Sequence, residues 1–231
     1  MNRNNAEITV IAIDGPSGSG KGTIARKVAA ALDMHLLDSG ALYRLVALSA
    51  SKQHQSDGSA AELANIAATM DVRFTMNQDG GEKVWLDGKE VSREIRTEEC
   101  GRIASQVAAI PAVREALLAL QKSFRKAPGL VADGRDMGTT VFPDATLKIF
   151  LTADAEERAR RRHKQLKDKG IDVSLAALSR DIEDRDRRDS ERSVAPLRPA
   201  ADARLLDSSN LTINEVTRTI LDWVESIELR E

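Results

Sequence analysis

Cysteine is almost absent from this chain of 231 residues, with Cys100 its one thiol. No intramolecular disulfide and no multi-cysteine metal site can form from it. Cys100 therefore reads as a small, structurally neutral residue of a reducing compartment. Aromatic residues make up only 3 %, which leaves no stacking platform for exposed nucleic-acid bases. An excess of one charge is missing too, because 34 Lys and Arg stand against 36 Asp and Glu for a net charge of −2. A chain so balanced is no electrostatic trap for polyanions, and any anion site has to come from local clustering of Arg and Lys. No apolar run approaches the ~18 residues of a membrane span, and the polar start "MNRNNAEITV" has no apolar stretch with a cleavage site. The expected location is the cytoplasm, with neither membrane nor nucleic acid as a partner.

What is present is an ordinary globular composition, 42 % apolar and 30 % charged. The length suits one sizeable domain or a core with an inserted lobe. "EITVIAI" at 7–13 is a β-branched run of the kind buried on both faces of a sheet. "HLLDSG" (35–40), "GLVADGRD" (129–136), "TLKIFLTAD" (146–154) and "ARLLDSS" (203–209) are further apolar runs that stop at acidic or hydroxyl residues. Helical patterns separate most of them, beginning with Ile24, Val28 and Leu32 between Gly22 and Leu32. The expected fold class is α/β, a five-stranded parallel sheet flanked by helices.

Residues 56–96 break that rhythm. The cap pattern Ser59-x-x-Glu62 is followed by alternation in "DVRFTM" and by the turn signals "NQDGG" and "LDGKEV". They suit either a small antiparallel lobe inserted into the core or an antiparallel edge on the main sheet, and the inserted lobe is the reading adopted. The expected organisation is core at 1–40, lobe at 41–110, core at 111–156, a short lid at 157–172 and core at 173–231. Thr212-x-x-Glu215 opens a closing amphipathic helix carrying Ile213, Val216, Ile220 and Val224.

The chemistry starts in "VIAIDGPSGSGKGT" at 10–23. Strand, glycine-rich loop and helix follow one another, the context of a phosphate-binding loop. Gly15, Gly18 and Gly20 let the backbone turn and aim N–H groups inward, while the helix brings its positive dipole end to the same point. Lys21 adds a mobile cation for the phosphates. Gly15, Pro16, Ser17, Gly18, Ser19, Gly20, Lys21, Gly22 and Thr23 are the candidate ATP-binding residues. One residue is displaced: the usual pattern asks for Ser or Thr after the lysine to hold Mg²⁺, but Gly22 stands there and the hydroxyl arrives at Thr23.

A loop ending Gly20-Lys21-Gly22-Thr23 resembles that of the nucleoside-monophosphate kinases. "LLDSGALYR", "IRTEE", "SQVAAIPAVREAL", "ADGRDMGT", "VFPDA", "KIFLTAD", "RDRRDSERSVAPL" and "LDSS" extend the resemblance along nearly the whole chain to the bacterial cytidylate kinases. It implies transfer of a phosphoryl group from ATP to CMP, and also to dCMP, in pyrimidine nucleotide metabolism. It implies Mg²⁺ held by phosphates and water, with no direct protein ligand and Asp133 in the outer shell, and so a displaced hydroxyl that costs little. The enzyme is expected to be a monomer.

The same resemblance distributes roles. An acceptor phosphate has to approach ATP despite like-charge repulsion, and guanidinium groups suit that task because they bind phosphate bidentately and stay charged. Arg44, Arg135 and Arg192 are the implied clamp, with Lys21, Arg135, Asp133 and Arg192 as the catalytic set. A carboxylate suits cytosine's exocyclic amine, where uracil presents a carbonyl. Asp136 is the implied reader, with Ser105 and Arg114 completing the base pocket and Ser39 nearby. Arg185, Asp189 and Arg192 fall at i, i+4 and i+7 of a helical pattern, which puts them on one face. That face is either a solvated one with intrahelical ion pairs or, by resemblance, a contact for ribose through Asp189 and for phosphate through the arginines. "RARRRHKQLKDKG" at 158–170 is either a basic surface helix or a lid over ATP, with Arg161 or Arg162 on the phosphates. His35, His54 and His163 have no assigned role. Other small-molecule kinases, a nucleotide-binding switch and a nucleic-acid binder using the basic helix are the rival classes.

Overall fold

The computed structural model describes residues 8–55, 58–76, 82–168, 170 and 172–228. The expected turn "NQDGG" and parts of the expected lid lie outside these residues. By its internal contacts the chain divides into two compact units, Met1–Asp38 with Lys122–Glu231, and Ser39–Gln121. The second unit thus runs to Gln121 rather than to 110, and 157–172 does not separate from the first.

In the first unit β1 (Val10–Asp14), β2 (His35–Asp38), β6 (Leu130–Gly134), β7 (Leu147–Thr152) and β8 (Arg204–Asp207) form one sheet in the order β2-β6-β1-β7-β8. Every pairing is parallel. β1 starts later than the apolar run suggests and includes Asp14, which pairs with Gly134 and Phe150. All of its residues are buried, as a central strand between two parallel neighbours requires. α1 (Lys21–Ala31) and α8 (Ile213–Glu228) pack together with the sheet. Ile11, Ile13, Val28, Val131, Ile149, Leu151, Val216 and Ile220 form the core there. Ile213, expected in that stripe, is 47 % exposed, because the capping box Thr212–Glu215 sets the helix entry one turn before the buried residues begin. α6 (Ala155–Lys167) and α7 (Leu175–Glu191) complete the unit and pack on each other.

Within the second unit α2 (Ser39–Lys52), α3 (Ala60–Thr69), α4 (Glu98–Val107) and α5 (Pro111–Lys122, whose last residue falls to the first unit) accompany β3 (Val72–Met76), β4 (Glu82–Leu86) and β5 (Lys89–Glu90). These three strands form a separate antiparallel sheet, so they are not an edge of the main one. Asp87 and Gly88 both have positive φ, 50° and 76°, as a two-residue hairpin loop demands. Ser59 and Glu62 make the expected reciprocal cap on α3. Pro111 breaks α4 from α5, which diverge by 103°. Among the described residues no single helix is long and apolar enough to cross a membrane.

Candidate active site

The glycine-rich loop leaves the carboxyl end of β1, the edge where open parallel sheets hold ligands. A Cβ on Gly15 would lie 2.0 Å from the Leu151 carbonyl oxygen on β7, so only glycine lets the chain cross its neighbouring strand there. Gly20 is the N-cap of α1 in the left-handed region, and no side chain caps the helix. The amides of the first turn therefore remain available to an anion, reinforced by the helix dipole. Lys21 is buried, and its Nζ donates to the Pro16 carbonyl across the loop at 3.0 Å.

The displaced hydroxyl now has a steric reason. A Cβ on Gly22 would sit 2.9 Å from Asp133 Oδ2, so the carboxylate at the end of β6 occupies the space that a Ser or Thr side chain needs. Burial pushes the Asp133 carboxyl up while Lys21 pulls it down. Burial and the Arg135 charge depress the Lys21 ammonium, against the pull of Asp133 and Asp189. An arriving phosphate would add negative charge beside Lys21 and favour its protonated form.

Beyond β6 the chain presents Arg135 and Asp136 in turn. Arg135 Nε donates to Asp189 Oδ2 of α7 at 2.9 Å. Burial opposes both charges, but each partner holds the other ionised, with the Asp189 carboxyl below its usual range. Arg192 Nη2 lies 3.5 Å from Asp136 Oδ1, and both side chains are almost fully buried. Arg192 does not share a helical face with Arg185 and Asp189. It is the extended C-cap of α7, and its Nε donates to the carbonyl of Ala195, where the chain turns ahead of Pro196. The solvated-face reading fails for Asp189, which is 7 % exposed and bonded outside its own helix. Arg187 does make the intrahelical pair, with Asp184.

Arg161 reaches the loop. Arg161 Nη2 donates to the Ser208 carbonyl at 2.6 Å and Nη1 to Ser208 Oγ at 3.1 Å, with the Ser19 carbonyl 3.4 Å away. Arg162 Nη1 donates to Gln165 on its own helix. Two residues went unnoticed in the sequence. Asp14 accepts from the backbone N–H groups of Met137 and Gly138, both at 2.8 Å, and so ties β1 to the π-helical turn Met137–Val141 that follows Arg135 and Asp136. Burial raises its pKa from 3.8 to about 6. The signal was an acid ending a wholly apolar run. Arg158 donates to the Ala153 and Ser17 carbonyls, each at 2.9 Å, and pairs with Asp186 at 2.6 Å. Its position within a basic run hid that role.

In the second unit Ser39 opens α2 and is buried. Arg44, also on α2, donates through Nη1 to the carbonyls of Ile95 at 2.7 Å and Thr97 at 3.1 Å. Ser105 lies near the end of α4 with its Oγ buried and without a hydrogen-bond partner. Arg114, on α5 beyond the proline break, donates to the Ala108 carbonyl at 3.1 Å and lies over the Tyr43 ring at 5.5 Å. Cys100 is buried, its thiol donating to the Arg44 carbonyl at 3.3 Å. Among the described residues no three His, Cys, Asp or Glu side chains cluster as a metal cage.

A family profile described as cytidylate kinase matches residues 11–226. The chain belongs to the cytidylate kinase family. A cytidylate kinase from Pseudomonas aeruginosa is 58 % identical over 223 residues, 96 % of this chain and 97 % of the relative. Cytidylate kinases from Nitrosococcus oceani and Methylococcus capsulatus are each 56 % identical over 219 residues, covering 94 % and 95 % of this chain and 96 % and 98 % of the relatives. A solved structure of an uncharacterized protein from Eubacterium ventriosum shares the fold, with TM-score 0.52, 11 % identity and coverage of 95 % of this chain and 99 % of that one. For a cytidylate kinase, then, the glycine loop, Lys21, Asp133 and Arg135 are found in one unit, while Arg44, Ser105 and Arg114 are found in the other.

Proposed function

We propose that this chain transfers the γ-phosphoryl group of ATP to CMP, and to dCMP, giving ADP and the cytidine diphosphate. The observation that carries the reading is geometric: the glycine loop with Lys21 on the Pro16 carbonyl follows β1, and Arg135, held by Asp189 at 2.9 Å, follows its paired neighbour β6. Amides of the phosphate loop and the guanidinium of Arg135 are thereby gathered at one edge of the sheet. The acceptor is already an anion, so the chemistry calls for positioning and charge stabilisation rather than a strong base.

The loop from Gly15 to Thr23 and Lys21 hold the ATP phosphates, with Arg161 bracing the loop through Ser208 and the Ser19 carbonyl. Arg44, Arg135 and Arg192 take the acceptor phosphate, Asp189 and Arg185 the sugar and phosphate, and Asp136, Ser105, Arg114 and Ser39 the base. Support for the base assignment comes from Ser105, whose buried hydroxyl finds no protein partner and so suits a ligand. Mg²⁺ supplies charge neutralisation on the phosphates when bound. Asp133 fits it as a water-mediated partner, being a single carboxylate that the missing side chain of Gly22 leaves accessible from the loop. The segment 157–172 closes over ATP, and the enzyme works as a cytoplasmic monomer.

The test is coupled ADP release with CMP, dCMP, UMP and AMP as acceptors, for wild type and Asp136→Ala. CMP is expected to be preferred, with dCMP accepted, and the preference over UMP to fall at least about ten-fold in the variant. Release of ADP that no acceptor stimulates would overturn the kinase reading. An unchanged preference in the variant would remove Asp136 from the base pocket.

A further inference from the structure

A glycine inside a helix needs a reason, because it weakens the helix relative to alanine. Gly101 lies within α4 with ordinary helical backbone, so no turn explains it. What lies against it does. The three nearest atoms to a Cβ built there are Nη2, Cζ and Nη1 of Arg44, at 2.7, 3.1 and 3.1 Å. The space a methyl group would need is filled by one guanidinium.

That guanidinium is also held at its edge. Ile95 and Thr97 offer their carbonyls to Nη1, and both positions are fixed by the local fold. Ile95 is buried and donates its own N–H to the Val91 carbonyl at 3.1 Å, and Thr97 caps α4 through the amide of Cys100 at 3.2 Å. A guanidinium pinned between two carbonyls and a bare helix surface has its plane set before a ligand arrives. We propose that Gly101 is a positioning residue for CMP: by having no side chain it lets the Arg44 guanidinium lie flat on α4, oriented for the acceptor phosphate. The inference rests on the reading of Arg44 as a phosphate contact. A Cβ at 101 would displace a flexible side-chain end rather than backbone, so the fold accommodates the change while the guanidinium swings off its carbonyls.

Four proteins test this: wild type, Gly101→Ala, Arg44→Lys and the double variant, each assayed for KM of CMP, KM of ATP and Tm. In Gly101→Ala the KM for CMP is expected to rise about ten-fold or more, the order of one charge-assisted hydrogen bond to phosphate. The KM for ATP should stay within about two-fold and Tm within about 3 °C of wild type. In the Arg44→Lys background the added alanine should raise the KM for CMP by less than about two-fold, since no guanidinium remains to displace. An unchanged KM for CMP in Gly101→Ala overturns the inference while Arg44→Lys still raises it. Equal increments in both backgrounds, or a fall in Tm with both KM values rising together, would also overturn it by marking a structural role. If Arg44→Lys alone leaves the KM for CMP unmoved, the reading of Arg44 falls and takes this inference with it.

Discussion

The two units seat their cations in different ways. In the first, Arg135 and Arg192 lie against carboxylates, Asp189 and Asp136, and Lys21 feels Asp133. In the second, Arg44 is held by two backbone carbonyls, those of Ile95 and Thr97. A carboxylate partner partly offsets the cation and adds a titratable group, so a phosphate arriving there competes with a built-in anion. A carbonyl orients a guanidinium without cancelling its charge. Arg135 and Arg192 are therefore the more firmly bound, whereas a phosphate meeting Arg44 has no carboxylate to displace among its described partners.

Lys21→Ala is the most severe way to probe the contrast. It should lower kcat by at least about a thousand-fold while the far-UV circular dichroism stays that of wild type, and near-normal turnover would refute the catalytic account of the loop. Asp189→Asn comes next, because it leaves the buried Arg135 guanidinium facing a neutral group. Urea unfolding should show a loss of about 3–4 kcal/mol, against about 1 kcal/mol for Arg44→Met, whose bared carbonyls can rehydrate. Equal losses would erase the distinction between the two kinds of seat. Asp14 gives an effect no larger than that of Asp189 and of the opposite sign. Its folded pKa is raised from 3.8 to about 6, so the fold favours its protonated form and stability falls as pH climbs between those values, by about 3 kcal/mol at most. Asp189, held below its usual range, contributes stability that is present at neutral pH and lost on acidification. Relative to wild type, Asp14→Asn should therefore gain stability in urea melts between pH 4 and pH 7. A pH-independent difference would show that Asp14 does not titrate in that window.

Local chemistry was readable in the sequence. The glycine loop, the two capping boxes, the Asp87-Gly88 turn and the apolar runs of the five parallel strands each depend on residues within a few positions of one another. What could not be read depends on distance along the chain. Asp14 meets Met137 and Gly138 across more than half the sequence, and Arg158 reaches back to Ser17. Arg192 looked helical because periodicity continues past Glu191, yet its tertiary partner Asp136 lies on a different element. The boundary at Gln121 was missed for a related reason. Pro111 suggested a return to the core, but the buried residues of α5, Val113 and Leu117 among them, lie in a helix that belongs with the second unit. The steric conflict at Gly22 was likewise invisible, since the carboxylate that fills its space comes from β6.

The pairing of β1 with β6 joins residues 10–14 to 130–134, and the whole second unit, Ser39–Gln121, is encoded between them. During synthesis that contiguous stretch emerges complete while the central strand of the main sheet still lacks both neighbours. The inserted unit can thus organise itself first on the ribosome, and the parallel sheet, with its long loop closure, is the slow and aggregation-exposed late step.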